Sequence, residues 1–196
     1  MSKLVFFLGP AGAGKTTLAK ALARKHRAAF FDMDTLLRPA AESIMTLSGH
    51  DPNDRDSDVY KKRCRDLGYR ITMDAAMENV ELGIDAFVVG PFTRETEDPL
   101  WLEKELARIG VSNGDVDAKA VYVFLPDDEA YKQRIQSRGS VLDIWKLDNW
   151  SSFSRSLTRR EIKWNVPEAS ILYFDNSGPL SEEKLTLVER FILKCT

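Results

Sequence analysis

Five nearly unbroken apolar runs are spaced along the chain: LVFFL (4–8), AAFF (28–31), AFVVG (86–90), KAVYVFL (119–125) and SILYF (170–174). Continuous rather than alternating apolar character predicts strands covered on both faces, as in a parallel sheet. The stretches between them carry apolar residues every three or four positions, the spacing of helices that bury one face. Residues 16–26 put Leu18, Ala21 and Leu22 on one side. Residues 59 to about 82 do the same with Tyr60, Cys64, Leu67, Ile71 and Ala75, until Gly83 stops the pattern. Asp98 is placed to cap a helix with Leu102, Leu106 and Ile109 inward. Further helices are predicted over 127–138, 152–164 and 182–194, and the polar stretch SGHDPNDRDSD (48–58) reads as loop.

Strands alternating with helices predict an α/β protein: three layers, with a five-stranded parallel sheet between helices on both faces. Ligands bind such sheets in the crevice outside the carboxyl ends of the strands. That rule gathers the segment after the first strand, Asp32 and Asp34 after the second, residues 91–94 after the third, and Asn176 and Ser177 after the fifth.

The segment after the first strand is GPAGAGKT (9–16), of the form G-x-x-x-x-G-K-[ST]. Gly9, Gly12 and Gly14 permit backbone angles that gather several N–H groups around one point. That point lies at the positive end of the helix beginning near Lys15, where nucleotide phosphates sit. Ala11 and Ala13 complete the loop, and Thr17 follows it. The Lys15 ammonium reaches the β/γ-phosphates, and the Thr16 hydroxyl is a hard oxygen ligand for Mg²⁺. A strand before and a helix after are the context this motif requires, so ATP, or GTP, is the expected ligand.

Asp32 and Asp34 are two apart and project to the same side if the extended geometry persists. A carboxylate there can hold Mg²⁺ through water, and another can accept the proton of an attacking hydroxyl. Asp34 also precedes TLL and would serve as a helix cap. Arg134 and Arg138 are one helical turn apart and lead into a Gly-containing segment. From 132 to 163 there are eight Lys/Arg against three Asp/Glu, which suits a basic lid opposite a phosphate loop, or a solvated basic face. Arg155, Arg159 and Arg160 are weaker candidates for the same role. Arg94 and Arg55 are placed to bind an anionic or hydroxylated substrate, or to pair with neighbouring carboxylates. Trp145 and Trp150 read as packing beside the lid.

Length and composition bound these possibilities. The chain has 196 residues, enough for one domain with a well-buried core. A formal net charge of −2 gives no global attraction to nucleic acid or to a membrane surface. No apolar run approaches the ~20 residues of a spanning helix. The first strand begins too early for a signal peptide, so a soluble cytoplasmic protein is the expectation. Cys64 and Cys195 read as unpaired thiols, and His26 and His50 suggest no metal site.

The loop GPAGAGKT, the FDMD after the second strand and the R-x-x-x-R entering a lid together resemble the P-loop kinases of small molecules. Shikimate kinase, gluconate kinase, chloramphenicol phosphotransferase and the kinase domain of polynucleotide kinase form that group. The resemblance implies the P-loop NTPase fold, an ATP-binding domain of AAA type in kinase-like form, over residues 1–196. It also implies a helical substrate-side insertion at about 34–83 and a mobile lid at about 138–160. By position, Lys15 and Thr16 would meet ATP and Mg²⁺, Asp34 the acceptor hydroxyl, Asp32 the metal, and Arg134 and Arg138 the transferring phosphoryl group. The turn DNSG (175–178), with Asn176 and Ser177, is similar to the adenine-side loop. The third strand ends in Gly90-Pro91 with no acidic residue, which disfavours a motor ATPase, and the glycine triplet of shikimate kinases is missing there. No G-x-G-x-x-G stands near Gly9, which argues against a dinucleotide-binding dehydrogenase.

The implied activity is ATP- and Mg²⁺-dependent transfer of the γ-phosphoryl group to a hydroxyl of a small molecule. Two alternatives stand beside it. A polynucleotide 5′-hydroxyl kinase needs a basic channel that the overall charge disfavours. An ATP-hydrolysing switch module has no acceptor and no use for Asp34.

Overall fold

The computed structural model describes residues 1–112 and 114–194; Cys195, expected as an unpaired thiol, lies outside the described residues. Strands β1 (Lys3–Leu8), β2 (Ala29–Asp32), β3 (Ala86–Val89), β4 (Asp117–Phe124) and β5 (Ile171–Asp175) form one five-stranded sheet in the order β2-β3-β1-β4-β5. Every pairing is parallel, with Phe6 opposite Val88 on one side and Ala120 on the other. The central strand β1 is sealed, its residues Leu4 to Leu8 all fully buried. Its side chains alternate between two cores. Leu4, Phe6 and Leu8 face α4 (Asp66–Glu81) and α5 (Trp101–Ala107). Val5 and Phe7 face α1 (Lys15–His26) and α9 (Glu182–Leu193). The expected layering of helix, parallel sheet and helix is what forms.

Helix α2 (Met33–Leu47) leaves the end of β2 and packs through Leu37, Ala41 and Met45 against Cys64, making a third, smaller core. Cys64 is a free, buried thiol. The predicted long helix after the polar loop is present, but it is not regular. A first turn, α3 (Asp58–Tyr60), passes through five π-helical residues (Lys61–Arg65) into α4. The wider turn shifts the phase of everything after it. The buried stripe runs Cys64, Gly68, Met73, Ala76 and Val80, whereas Leu67, predicted inward, is exposed.

Two other boundaries differ from the sequence expectation. Helix α5 begins at Trp101, and Asp98 instead accepts a hydrogen bond from the Leu100 N–H at 3.0 Å, in the turn before it. The helix expected over 127–138 forms as α6 (Asp128–Arg138), but the one expected over 152–164 does not: after α7 (Ile144–Asp148), only α8 (Trp150–Phe153) and a 3₁₀ turn (Ser154–Leu157) form there, followed by extended chain. Ile162 and Trp164 are both buried, and a step of two is the periodicity of extended backbone. The backbone of this stretch is satisfied by tertiary partners rather than by a helix. Arg160 N donates to Tyr122 Oη, Ile162 N to Tyr173 Oη, and Lys163 N to Thr96 O, at 3.0, 3.0 and 2.8 Å.

Trp164 stacks on Trp101 with ring centroids 5.3 Å apart, meets Phe6 edge-on at 4.9 Å and donates Nε1–H to Glu95 O at 2.8 Å. Trp164→Ala should therefore cost about 3–5 kcal/mol of stability, as for a buried tryptophan losing both packing and a hydrogen bond. Trp145, 45% exposed, should tolerate the same change within about 0.5 kcal/mol. Thermal or urea unfolding of the two variants compares them directly, and similar losses would mean that the 158–166 segment is not part of the core.

Candidate active site

The phosphate-loop residues turn between β1 and α1 with Gly9, Gly12 and Gly14 all at positive φ (123°, 83° and 93°). Space as well as angle demands glycine at two of them. A Cβ on Gly9 would lie 2.1 Å from Val123 O, and one on Gly14 would lie 2.4 Å from Asn176 Nδ2 and 3.1 Å from Arg134 Nη1. Those two side chains brace the loop from behind. Asn176 Nδ2 donates to Ala13 O at 2.8 Å, and Arg134 Nη1 donates to the same carbonyl at 3.2 Å. Arg134 Nη2 donates to Asn176 O and, at 2.6 Å, to Gly178 O. Both Nη groups of Arg134 are thus engaged by main-chain carbonyls, which gives it a structural task that its place in R-x-x-x-R did not reveal.

The loop opens onto a cleft of about 970 Å³. Ala11, Gly12, Gly14, Lys15, Thr16 and Thr17 line it, while Gly9 and the buried Ala13 stand behind the lining. Lys15 Nζ donates to Pro10 O at 2.8 Å, which curls the ammonium over its own loop. Burial pushes the Lys15 pKa down to about 8, against the upward pull of Asp34 and Asp32.

The chain does not stay extended past β2. It enters α2 at Met33, with Asp32 as the cap: Asp32 Oδ1 accepts from the N–H groups of Asp34 and Thr35 at 3.0 and 3.4 Å. Capping therefore belongs to Asp32, not Asp34, and the two carboxylates do not project from one side of a strand. The second oxygen of Asp32 accepts from Thr16 Oγ1 at 2.8 Å, tying the buried carboxylate to the phosphate loop. Asp34, in the first turn of α2, is left with its carboxylate toward the cleft. It keeps contact with solvent, but the surrounding walls and the nearby Asp32 raise its pKa above the ordinary 3.8. Lys15, Lys146 and Arg138 pull in the other direction.

The opposite wall comes from the polar loop, the π-helical turn and the 138–148 segment. Arg138 lines the cleft with Nε 3.1 Å from Asp143 Oδ2. Lys146, on α7, bridges Asp143 at 3.0 Å and Asp56 at 3.7 Å. Arg55, Tyr60, Arg65 and Tyr69 also face the cleft. Of the remaining sequence candidates, Arg94 is exposed and lies outside the cleft, its place after β3 taken by Gly90, Pro91 and Thr93. Ser177 is likewise outside, bonded to Asp175, while Asn176, Gly178 and Pro179 line the cleft. Sequence reasoning missed Lys146, Tyr69 and Arg38. Arg38 alone carried a signal, being one helical turn beyond Asp34.

Residues 4–144 match the sequence profile of the AAA domain family AAA_33. The chain belongs to that family. No curated protein matches the sequence. Among solved structures, similar chains include a protein from Chloroflexus aurantiacus j-10-fl (TM-score 0.64, 15% identity, 100% of this chain and 98% of that one). Others are a sugar kinase from Janibacter sp. HTCC2649 (TM-score 0.62, 17%, 100% and 96%) and a gluconokinase from Sinorhizobium meliloti 1021 (TM-score 0.53, 18%, 97% and 93%). At these identities the likeness is one of fold, and the fold is that of the P-loop kinases.

Within this AAA domain, the donor set fits a nucleoside triphosphate with Mg²⁺. The glycine cradle leaves room at the head of α1, and Lys15 and Arg138 supply charge. Among the described residues no three His, Cys, Asp or Glu cluster to hold a metal. Mg²⁺ needs no such cage, because it keeps most of its waters and takes one or two protein oxygens plus phosphate. No described helix is long and apolar enough to cross a membrane.

Two outcomes follow from this geometry. Because Lys15 titrates near 8, ATP affinity should weaken as pH rises from about 7 to about 9, and binding should take up a proton in that window. Lys15→Arg, which stays charged, should bind with flat affinity there; calorimetry in two buffers of different ionisation enthalpy separates the cases, and parallel profiles would remove Lys15 from the phosphate site. Arg134→Ala should lower stability by about 2 kcal/mol and loosen ATP binding, with Arg134→Lys restoring only part, since an ammonium cannot reproduce the fork. An Arg134→Ala protein that melts like the wild type would exclude the brace.

Proposed function

We propose that this protein is an ATP-dependent phosphotransferase that moves the γ-phosphoryl group to a hydroxyl of a small molecule. The observation that carries the reading is Asp34: a carboxylate facing the cleft shared with Lys15, relieved of helix capping by Asp32, with its pKa raised by burial above the ordinary carboxylate value. A general base works best when its pKa approaches the operating pH. In this reading the acceptor hydroxyl attacks the γ-phosphorus, its proton passes to Asp34, and the bond to the ADP oxygen breaks. Lys15 and the loop amides hold the β/γ-phosphates, and Arg138 offsets charge on the transferring group from the lid side. Thr16 and Asp32 are the residues that would hold Mg²⁺, which when bound neutralises phosphate charge. Residues 1–196 act as one catalytic unit, 34–83 supplying the acceptor side and 138–160 the lid. The sugar kinase and gluconokinase of similar fold are consistent with a small hydroxylated acceptor.

Labelled ATP offered with a panel of hydroxyl compounds, nucleosides and oligonucleotides tests the proposal. Phosphate appearing only as the inorganic ion would make the protein an ATP-hydrolysing switch, and label on the oligonucleotide alone would make it a polynucleotide kinase. Asp34→Asn should lower transfer by about 10²–10⁴-fold, the range for loss of a general base, with ATP affinity and melting temperature little changed. The wild-type rate should fall as pH drops through the folded pKa of Asp34, above 3.8, because the protonated acid cannot accept a proton. An Asp34→Asn enzyme of full activity would leave only nucleotide binding standing.

A further inference from the structure

The acceptor-side wall holds a cation that the fold leaves without a hydrogen-bond partner. Arg55, in the loop before α3, has a side chain only 13% exposed. Its Nη1 and Nη2 are both buried, and neither is hydrogen-bonded to anything among the described residues. The nearest carboxylate, on Glu42, is 3.7 Å from Nη2, beyond hydrogen-bond reach, and is itself 46% exposed. A buried guanidinium left in this state is unfavourable, and an orphan of this kind calls for a specific explanation.

An aromatic ring flanks it. The guanidinium lies over the Tyr60 ring, 5.3 Å from the centroid. Tyr60 reaches the cleft together with Arg65, five residues later, because the intervening turn is π-helical and takes one residue more than an α-turn. The other cations of this wall are already engaged: Arg65 with Glu95 and Asp66, and Lys146 with Asp143 and Asp56. Arg38 is the exception. It lines the cleft with no ion pair among the described residues, one turn beyond Asp34 and on the same face of α2. Three carboxylates share this corner with Arg55: Glu42, an ion-pair partner at 3.7 Å that leaves both Nη groups without a hydrogen bond, Asp56, paired at 3.7 Å with Lys146, and Asp34, which the proposed chemistry occupies.

We infer that Arg55, with Arg38, forms a subsite for an anionic group on the acceptor, so that the substrate is a hydroxy acid or a phosphorylated polyol rather than a neutral alcohol. This inference rests on the phosphotransfer reading above. A planar guanidinium held against an aromatic ring presents two parallel N–H groups, the match for a carboxylate or phosphate edge. Asp34 and Arg38, about 5–6 Å apart at their Cβ atoms, set the spacing. The anionic group sits a few carbons from the hydroxyl that receives the phosphoryl group.

Matched trios test this: three- to six-carbon polyols, the hydroxy acids of the same carbon skeletons, and their monophosphates, each offered to the full chain with ATP and Mg²⁺. One charged member should exceed its neutral counterpart in kcat/KM by at least about tenfold. Arg55→Ala should collapse that ratio toward one, and Arg55→Lys should recover part of it. Whether acid or monophosphate wins identifies the anion. Preference for the neutral member, or equal losses on neutral and charged acceptors in Arg55→Ala, would overturn the subsite. Calorimetry of the same compounds with a non-hydrolysable ATP analogue separates the two proposals. Charged compounds that bind to wild type but not to Arg55→Ala, without being phosphorylated, would sink the kinase and keep the subsite. Transfer to neutral polyols alone would do the reverse. No binding and no transfer for any charged compound would sink the subsite.

Discussion

A loop that turns its amide hydrogens toward a polyanion must turn its carbonyls the other way, and those carbonyls need donors. Here Ala13 O meets that requirement twice, from Asn176 Nδ2 and Arg134 Nη1. The same arginine reaches on to the carbonyls of residues 176 and 178. One main-chain oxygen therefore binds the phosphate loop to α6 and to the turn after β5, two elements far away in sequence. Thr16 and Asp32 complete the frame from the other flank, joining the start of α1 to the start of α2. The positions of Lys15 and Asp34 across the cleft are consequences of these few bonds, because each stands within two residues of a braced one.

Charge is partitioned in a way that the whole-chain figure conceals. The protein carries a formal net charge of −2, yet nine Lys or Arg line the cleft against four Asp. Clefts concentrate field lines, so a local excess of this size attracts a polyphosphate whatever the net sign of the molecule. The opposed shifts of Lys15 and Asp34 come from burial and not from this excess, whose cations hold the Asp34 pKa down. Burial works against the charge of each, and their mutual attraction recovers only part of it.

Much of the fold was legible in the sequence. Five apolar runs became the five strands, with ends moved by a residue or two, and the phosphate loop stood where its motif put it. What was lost was lost to tertiary context. The helical stripe drawn through Leu67 failed because periodicity assumes a constant turn, and five π-helical residues break that assumption with no sequence signal. The second half of the helix expected over 152–164 is extended instead, with Ile162 and Trp164 alternating like a strand, because hydroxyls of Tyr122 and Tyr173 satisfy its backbone from a distance. Asp32 displaced Asp34 as the cap, two residues earlier than expected. Arg94 was placed in the crevice by strand order alone, and the short turn after β3 points it elsewhere.

The π-helical turn at residues 61–65 is, in effect, an adjustable joint between two rigid bodies. Downstream, α4 is fixed by the sheet through Met73, Ala76 and Val80. Upstream, the chain carries Tyr60 and the loop with Arg55. Relaxing the joint to α-helical geometry at unchanged length would rotate the upstream part by about 100° relative to the core, since the residue that the wider turn absorbs would then take its own helical step. Tyr60 would leave the cleft, and whatever followed it in sequence would enter, without disturbing the phosphate loop. Substitutions that relax the π turn to an α turn without changing its length are therefore a route by which descendants of the same scaffold could exchange one acceptor for another while keeping the nucleotide half intact.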